Sequence, residues 1–288
     1  MSSENRQQLS DENLKKYLDY IEIKDISLEK PTIQLLNRLV FKHVSHIPYQ
    51  NQTIFNQEKL NIEPNDLCSR LVSNKIGGMC YETSELIHSV LLKLNFDVKC
   101  IKAYPLNGKP YDPNAPSSHN ILIVNIDKKL YLVDVGYGNN GIRFPVSFNY
   151  KETEVKEVFP GETYQLEVHK DYFQLNIKIK GDFVSMYRFN RPFEEIGQEE
   201  TVKNMDKILD FKGMMPIRDL YLKVSIITHE GRICFYSEPK NGINTCYMIN
   251  EIFGDRNKKL YQNWDNFKSD VLKNTSIDIS KTLNKYIK

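Results

Sequence analysis

The chain carries a single tryptophan, only five cysteines and almost no excess of either charge. The cysteines, at 68, 80, 100, 234 and 246, form an odd, scattered set with no CxxC pair and no His/Cys pairing at zinc-finger spacing. That argues against a disulfide framework and a finger-type metal site, and it points to a reducing cytosol. Lys and Arg total 39 against 37 Asp and Glu, with the signs interspersed. A net charge of +2 implies no nucleic acid or other polyanion as partner. No apolar run approaches the roughly 18 residues of a membrane span, and the polar stretch Met1–Lys16 has no apolar signal-peptide core, so no membrane partner is expected. Internal repeats, low-complexity tracts and long linkers are absent too. What is abundant is core material: 17 Tyr and 14 Phe in 288 residues, at a mean hydropathy of −0.50, make a soluble globular composition.

The hydrophobic pattern changes period along the chain. Leu14, Tyr17, Leu18 and Ile21 share one helical face, and Leu35, Leu36, Leu39, Val40 and Val44 share another after Lys30-Pro31. His43 and His46 lie on that second helix, but an i,i+3 pair without a nearby acid is a poor metal site. A third helical piece, Asp66–Ser73, leads to a Gly-Gly pair. From Asp97 short apolar runs replace helical spacing: Val98–Tyr104, His119–Ile126, Lys129–Val135, Tyr164–Val168, Tyr172–Ile179 and Phe183–Phe189. Separated by turn residues, these predict an antiparallel sheet or small barrel. Pro105–Ser118, with four prolines, reads as a long functional loop. Beyond it, Gln198–Asp210 reads as a connecting helix, Tyr221–Thr228 and Arg232–Ser237 as a hairpin, and Leu260, Trp264, Phe267 and Val271 as one face of a late helix.

The chemistry concentrates at Lys75-Ile76-Gly77-Gly78-Met79-Cys80-Tyr81-Glu82-Thr83. Two glycines allow a sharp turn, and Leu86, Ile87, Val90, Leu91 and Leu94 then recur at helical spacing. Cys80 therefore falls at a helix head, where free N–H groups and the helix dipole favour a thiolate nucleophile. A cysteine nucleophile needs a base, and the base needs an orienting group. If Asp127-Lys128 form a two-residue turn, Ile126 faces Lys129, and His119 and Asp134 fall on one face as diagonal neighbours. Gly136-Tyr137-Gly138-Asn139-Asn140-Gly141 spells GxGxxG, but Ile142-Arg143-Phe144-Pro145 is no helix start. The run is therefore not a dinucleotide fingerprint. It is expected instead to line a phosphate or acyl groove, with Gly136, Tyr137 and Gly138 as substrate-binding positions.

These residues resemble, in order, the three signature motifs of the arylamine N-acetyltransferases: Gly77-Gly78-Met79-Cys80-Tyr81-Glu82, the strand opened by His119, and Val133-Asp134-Val135-Gly136-Tyr137-Gly138. Pro31–Leu36, His43 and Ile47-Pro48-Tyr49-Gln50-Asn51 are similar to that family's N-terminal segment. The resemblance implies an α+β fold: an N-terminal helical bundle over 1–95 carrying the cysteine, a central antiparallel β-barrel over 96–196 carrying His and Asp, and a connecting helix with an α/β lid over 197–288. It implies a cysteine-protease-like triad of Cys80 as nucleophile, His119 as base and Asp134 as orienter. Acetyl-CoA is then the acyl donor, used without a metal. A small aromatic amine, hydrazine or N-hydroxyarylamine is the acceptor, in ping-pong order. A Cys-His-Asp amide hydrolase or transamidase, and an inactive family member acting as a scaffold, are the alternatives. The Pro105–Ser118 loop and Tyr137 are the expected determinants of acceptor choice. The chain departs from the family pattern at Ile76, where Arg is usual, at Ser84 in place of Asn, and at Gln50 in place of Glu. Glu82 thus needs a partner from elsewhere.

Overall fold

The computed structural model describes residues 7–24, 26, 30–56, 58, 60–210, 221–240 and 243–283. Three elements open the chain: α1 (Asp11–Tyr20), α2 (Ile33–His46) and the two-residue strand β1 (Tyr49–Gln50). Ser10 and Thr32 cap the two helices, their hydroxyls accepting from the N–H groups of Asn13 and Leu35 at 3.2 Å each. Pro31 precedes this cap rather than entering the first turn. The short helices α3 (Gln52–Phe55) and α4 (Pro64–Leu67) follow, and α4 runs into a π-helical turn over Cys68–Ser73. The helix α5 (Cys80–Lys93) is buried on every side from Cys80 to Leu91, and so forms the centre of the helical layer.

The next eight strands form one antiparallel sheet: β2 (Asp97–Pro105), β3 (His119–Ile126), β4 (Lys129–Val133), β5 (Val146–Phe148), β6 (Glu154–Phe159), β7 (Glu162–Val168), β8 (Tyr172–Ile179) and β9 (Asp182–Asn190). Their order is β5-β4-β3-β2-β9-β8-β7-β6, and the two end strands lie beside each other, so the sheet curls into a nearly closed barrel. β3 is buried on both faces, which explains why its run reads as continuously apolar. Leu122, Val124 and Ile126 pack on the helices, while Ile121 and Ile123 join Tyr164, Phe173 and Phe189 inside the barrel.

After α6 (Gln198–Asp210), a second antiparallel sheet is built from β10 (Leu222–Ile227), β11 (Gly231–Lys240), β12 (Ile243–Ile252) and β13 (Asp255–Leu260), with β1 at its edge. The helix α7 (Trp264–Thr275) covers one face through Phe267 and Val271, and α8 (Ser280–Leu283) follows. This is the α+β arrangement of helices, barrel and α/β lid. Leu260 ends β13 and is exposed; it does not share the face of α7. The strands β5, β6, β12 and β13 have no counterpart in the hydrophobic pattern.

Candidate active site

Cys80 is the first residue of α5, where N–H groups lack intrahelical partners. The Glu82 carboxylate reaches back to accept from the Met79 N–H at 2.9 Å. Glu82 is wholly buried, and burial raises its carboxyl above the usual range while Arg70 and the Met79 N–H pull the other way. Arg70, on the π-helical turn, meets it at 2.6 Å through Nη2. It is the partner that Ile76 does not supply.

The glycine loop leans on the entry to β1. The Gly78 N–H donates to Pro48 O at 3.1 Å, and the Gln50 N–H donates to Gly78 O at 3.0 Å. Gly77 sits at φ +64, with Pro48 O only 2.6 Å from where a Cβ would stand, so no other residue fits without a shift. The departures from the family pattern are absorbed locally. Ser84 donates to Asn120 O at 3.2 Å and ties α5 to β3, while Gln50 donates to Thr53 Oγ1 at 3.1 Å and accepts from the Gln52 N–H.

The turn between β3 and β4 is the two-residue one: Ile126 faces Lys129, and Asp127 and Lys128 have φ +49 and +63. Both central residues at positive φ are the mark of a type I′ turn, whose twist matches that of the strands. The ladder stops at Leu122–Val133, one residue short of the expected Asp134. Asp134 still turns to the barrel side, and His119 Nε2 donates to its Oδ2 at 2.9 Å. The other oxygen of Asp134, Oδ1, accepts from the Gly136 N–H at 3.0 Å.

His119 lies between the rings of Tyr137 and Tyr187, at centroid distances of 5.3 and 5.4 Å. Burial alone would depress its pKa, but the Asp134 carboxylate and a hydrogen bond to Cys80 outweigh it and push the imidazole up to about 10. With Nε2 engaged by Asp134, Nδ1 is the nitrogen left for the sulfur. Cys80 Sγ also lies 3.8 Å from Ser118 O. Chain positions 80, 119 and 134 thus converge: the β3–β4 register brings His119 and Asp134 together, and the packing of the helix head against the chain after Asp134 adds Cys80.

Gly136 serves first as a spacer. A Cβ there would lie 2.5 Å from Cys80 Cα, so only glycine lets the chain after Asp134 pass over the helix head. The Tyr137 hydroxyl stands 3.0 Å from Asn107 Oδ1 and 2.5 Å from Met186 O, which links it to the loop after β2. Gly138 opens a single 3-10 turn, Gly138–Asn140, against the Tyr49 ring. All three line one cleft of about 600 Å³ with Cys80, His119 and the proline-rich loop.

Elsewhere, His43 is a neutral core histidine whose Nδ1 is 2.8 Å from the Tyr17 hydroxyl; burial holds its pKa down at about 3. Among the described residues no group of His, Cys, Asp and Glu is placed to hold a metal, and no helix is long and apolar enough to cross a membrane. Sequence reasoning missed Arg70, Tyr187 and Lys223, which also lines the cleft. Their roles come from packing between distant segments, and only the isolated basic residue twelve positions before Glu82 left any signal.

A cysteine at a helix head, met by a histidine braced on a carboxylate, defines the class of thiol-dependent acyl-group chemistry. Residues 32–235 match a family described as N-acetyltransferase, and the chain belongs to the arylamine N-acetyltransferase family. An arylamine N-acetyltransferase of Escherichia coli (strain K12) is 26% identical over 159 residues, 55% of either chain. The chain thus spans about half the length of the curated relatives it matches. The solved structure of Mycobacterium marinum arylamine N-acetyltransferase in complex with CoA superposes with a TM-score of 0.78 at 20% identity, over 93% of this chain and 94% of that one. An arylamine N-acetyltransferase from Bacillus cereus, described as having a unique Cys-His-Glu catalytic triad, gives 0.75 at 18% identity, over 93% of this chain and 99% of that one. At such identities these structures establish the fold.

Proposed function

We propose that this chain moves an acetyl group from acetyl-CoA to an arylamine, arylhydrazine or N-hydroxyarylamine through an acetyl-cysteine on Cys80. One observation carries the reading: buried His119 is hydrogen-bonded to both Asp134 and Cys80, and that pairing raises its pKa against the pull of burial. In the reaction the proton shared by this pair sits on the ring as sulfur attacks the thioester carbonyl. Collapse of the tetrahedral adduct breaks the bond to the CoA sulfur, which takes the proton from His119. The acceptor nitrogen then attacks the acyl carbon, neutral His119 removes its proton, and the Cys80 thiolate departs. Asp134 fixes the ring and balances its charge in both half-reactions. Aromatic amines suit this order because they are unprotonated, and hence nucleophilic, at pH 7. Gly136, Tyr137 and Gly138 form the wall along which acyl group and acceptor enter.

Intact-protein mass spectrometry after acetyl-CoA alone tests the reading. A gain of about 42 Da, lost in Cys80→Ala, is expected for a covalent acyl-enzyme. Double-reciprocal plots against acetyl-CoA at several acceptor concentrations should be parallel. Intersecting plots without an adduct would mean direct transfer in a ternary complex and would remove Cys80 from the role.

A further inference from the structure

The chain on either side of His119 is held from behind by α6. Thr201 and Asn204 stand one turn apart on that helix, so they share a face. Just after the histidine, Asn120 Nδ2 donates to Thr201 Oγ1 at 3.4 Å, and the Thr201 hydroxyl is anchored on Gly197 O at 3.0 Å. Just before it, Asn204 Nδ2 donates to Ser117 O at 2.6 Å and stands 3.1 Å from Ser117 Oγ. Among the described residues none of α6 lines the cleft, so the helix acts there only through what it holds.

Ser117 is where this support meets the nucleophile. The hydroxyl of Tyr81, the residue after Cys80, donates to the same Ser117 O at 3.2 Å, and Asn204 Nδ2 lies 3.5 Å from that hydroxyl. Tyr81 and Ser117 are only 3% and 6% exposed, so these bonds are made in a low-dielectric interior that strengthens them. Burial, and then the neighbouring Cys80, push the Tyr81 phenol well above its ordinary pKa, so the hydroxyl keeps the proton it donates. One residue further on, Ser118 O stands 3.8 Å from Cys80 Sγ, which sets the pinned segment against the sulfur itself. A single carbonyl thus ties the turn of the nucleophile to the entry of the base's strand, and Asn204 makes the shorter of its two bonds. We propose that Asn204 is a positioning residue: through Ser117 and Tyr81 it sets the approach of His119 to Cys80. This deepens the acetyl-transfer reading and rests on it only for turnover.

Alkylation of Cys80 by iodoacetamide, located by peptide mass mapping, reads the sulfur–imidazole pair with neither acetyl-CoA nor acceptor present. In Asn204→Ala the rate at pH 7 should fall about ten- to a hundredfold, the scale of a misplacement approaching 1 Å. Asn204→Asp separates hydrogen bonding from packing. It keeps the size of the side chain but turns two acceptor oxygens towards Ser117 O, so it should react no faster than Asn204→Ala. Asn204→Gln keeps the amide donor and should recover part of the rate. A wild-type rate in the Ala or Asp variant, or a Gln variant no faster than Asp, would overturn the proposal. Should Asn204→Ala not fold, Asn204→Asp and Tyr81→Phe decide in its place: both slow alkylation if the shared carbonyl matters, and wild-type rates in both overturn it.

Turnover adds a second arm. Because His119 serves both half-reactions, kcat/KM in Asn204→Ala should fall for donor and acceptor alike. A loss confined to one substrate would assign Asn204 to the binding of that substrate and overturn the positioning role. Absence of an acetyl-Cys80 adduct would defeat the transferase reading alone, because alkylation still decides the role of Asn204.

Discussion

Two backbone segments frame Cys80, and both are held by buried arginine–glutamate pairs of very different range. On one side the glycine loop is braced by Glu82 and Arg70, twelve residues apart in the chain. On the other, the turn after Tyr137 is gripped from the lid: Arg232 donates to Asn139 O at 3.1 Å and to Gly141 O at 3.0 Å, across more than ninety residues. Arg232 in turn meets Glu162 of the barrel at 2.7 Å and Glu251 of β12 at 3.2 Å, and Glu162 also takes Arg143 at 3.0 Å. Burial opposes the charge on Arg232, but Tyr164, Glu162 and Glu251 hold it charged. The near pair keeps one member partly in water; the far cluster has its three central members buried. The near brace belongs to local loop formation, whereas the far one exists only once lid and barrel have docked.

The largest effect is expected where the two segments meet, at Asp134, which holds His119 with one oxygen and Gly136 with the other. Asp134→Asn should lower kcat by about 10⁴-fold, as loss of the correct tautomer does in serine-protease triads. Its melting temperature should stay within a few degrees of wild type. Near-normal turnover would reduce Asp134 to a turn residue.

Next comes Arg232→Met, which leaves Glu162 and Glu251 buried with less counter-charge. A loss of about 3–5 kcal/mol is expected from breaking such a cluster, read from the urea midpoint. Arg70→Met should cost less, about 1–3 kcal/mol, because the Arg70 side chain keeps 19% of its surface in solvent and its pair is screened. Equal losses in the two variants would break the distinction between near and far braces. So would an unchanged acceptor KM in Arg232→Met, since the turn it grips walls the cleft.

The remaining effect is a slope. The His119 pKa is about 10 in the folded protein, against roughly 6.5 in an unfolded chain. A raised folded pKa means that the stabilisation is fully present below about pH 6.5 and is lost as pH rises through about 10. Urea midpoints of wild type should fall over that window more steeply than those of Asp134→Asn. Parallel pH profiles would show that Asp134 does not set the charge of His119.

The contrast in range also explains what could be read in advance. Cys80 at a helix head followed from two glycines and a helical apolar period, and the meeting of His119 with Asp134 followed from a two-residue turn; each is a signal within some fifteen residues. Helical bundle, antiparallel barrel and lid were legible through the family resemblance and the change of period near Asp97. The strands β5 and β6 were not, because Val146–Phe148 is too short and Glu154–Phe159 alternates charge with modest apolar residues. The exposed strand β13 carries Arg256, Lys258 and Lys259, which read as solvent-facing coil. Arg232 and Lys223 were illegible for a different reason: an isolated basic residue has no periodicity, and its place is set by docking, whereas Arg70 left only its position twelve residues before Glu82.

The tip of the β3–β4 hairpin has an unexpected status among surface turns. Exposed tips are ordinarily where proteins accept insertions and deletions most freely. Here Asp127 and Lys128 fix a fifteen-residue spacing between His119 and Asp134, and one added residue would turn one of them to the opposite face of the sheet. The tip should therefore be held in length, and in letter to residues that accept a positive φ, and a lineage that gained or lost a single residue there would have to rebuild its acid–base pair from another strand.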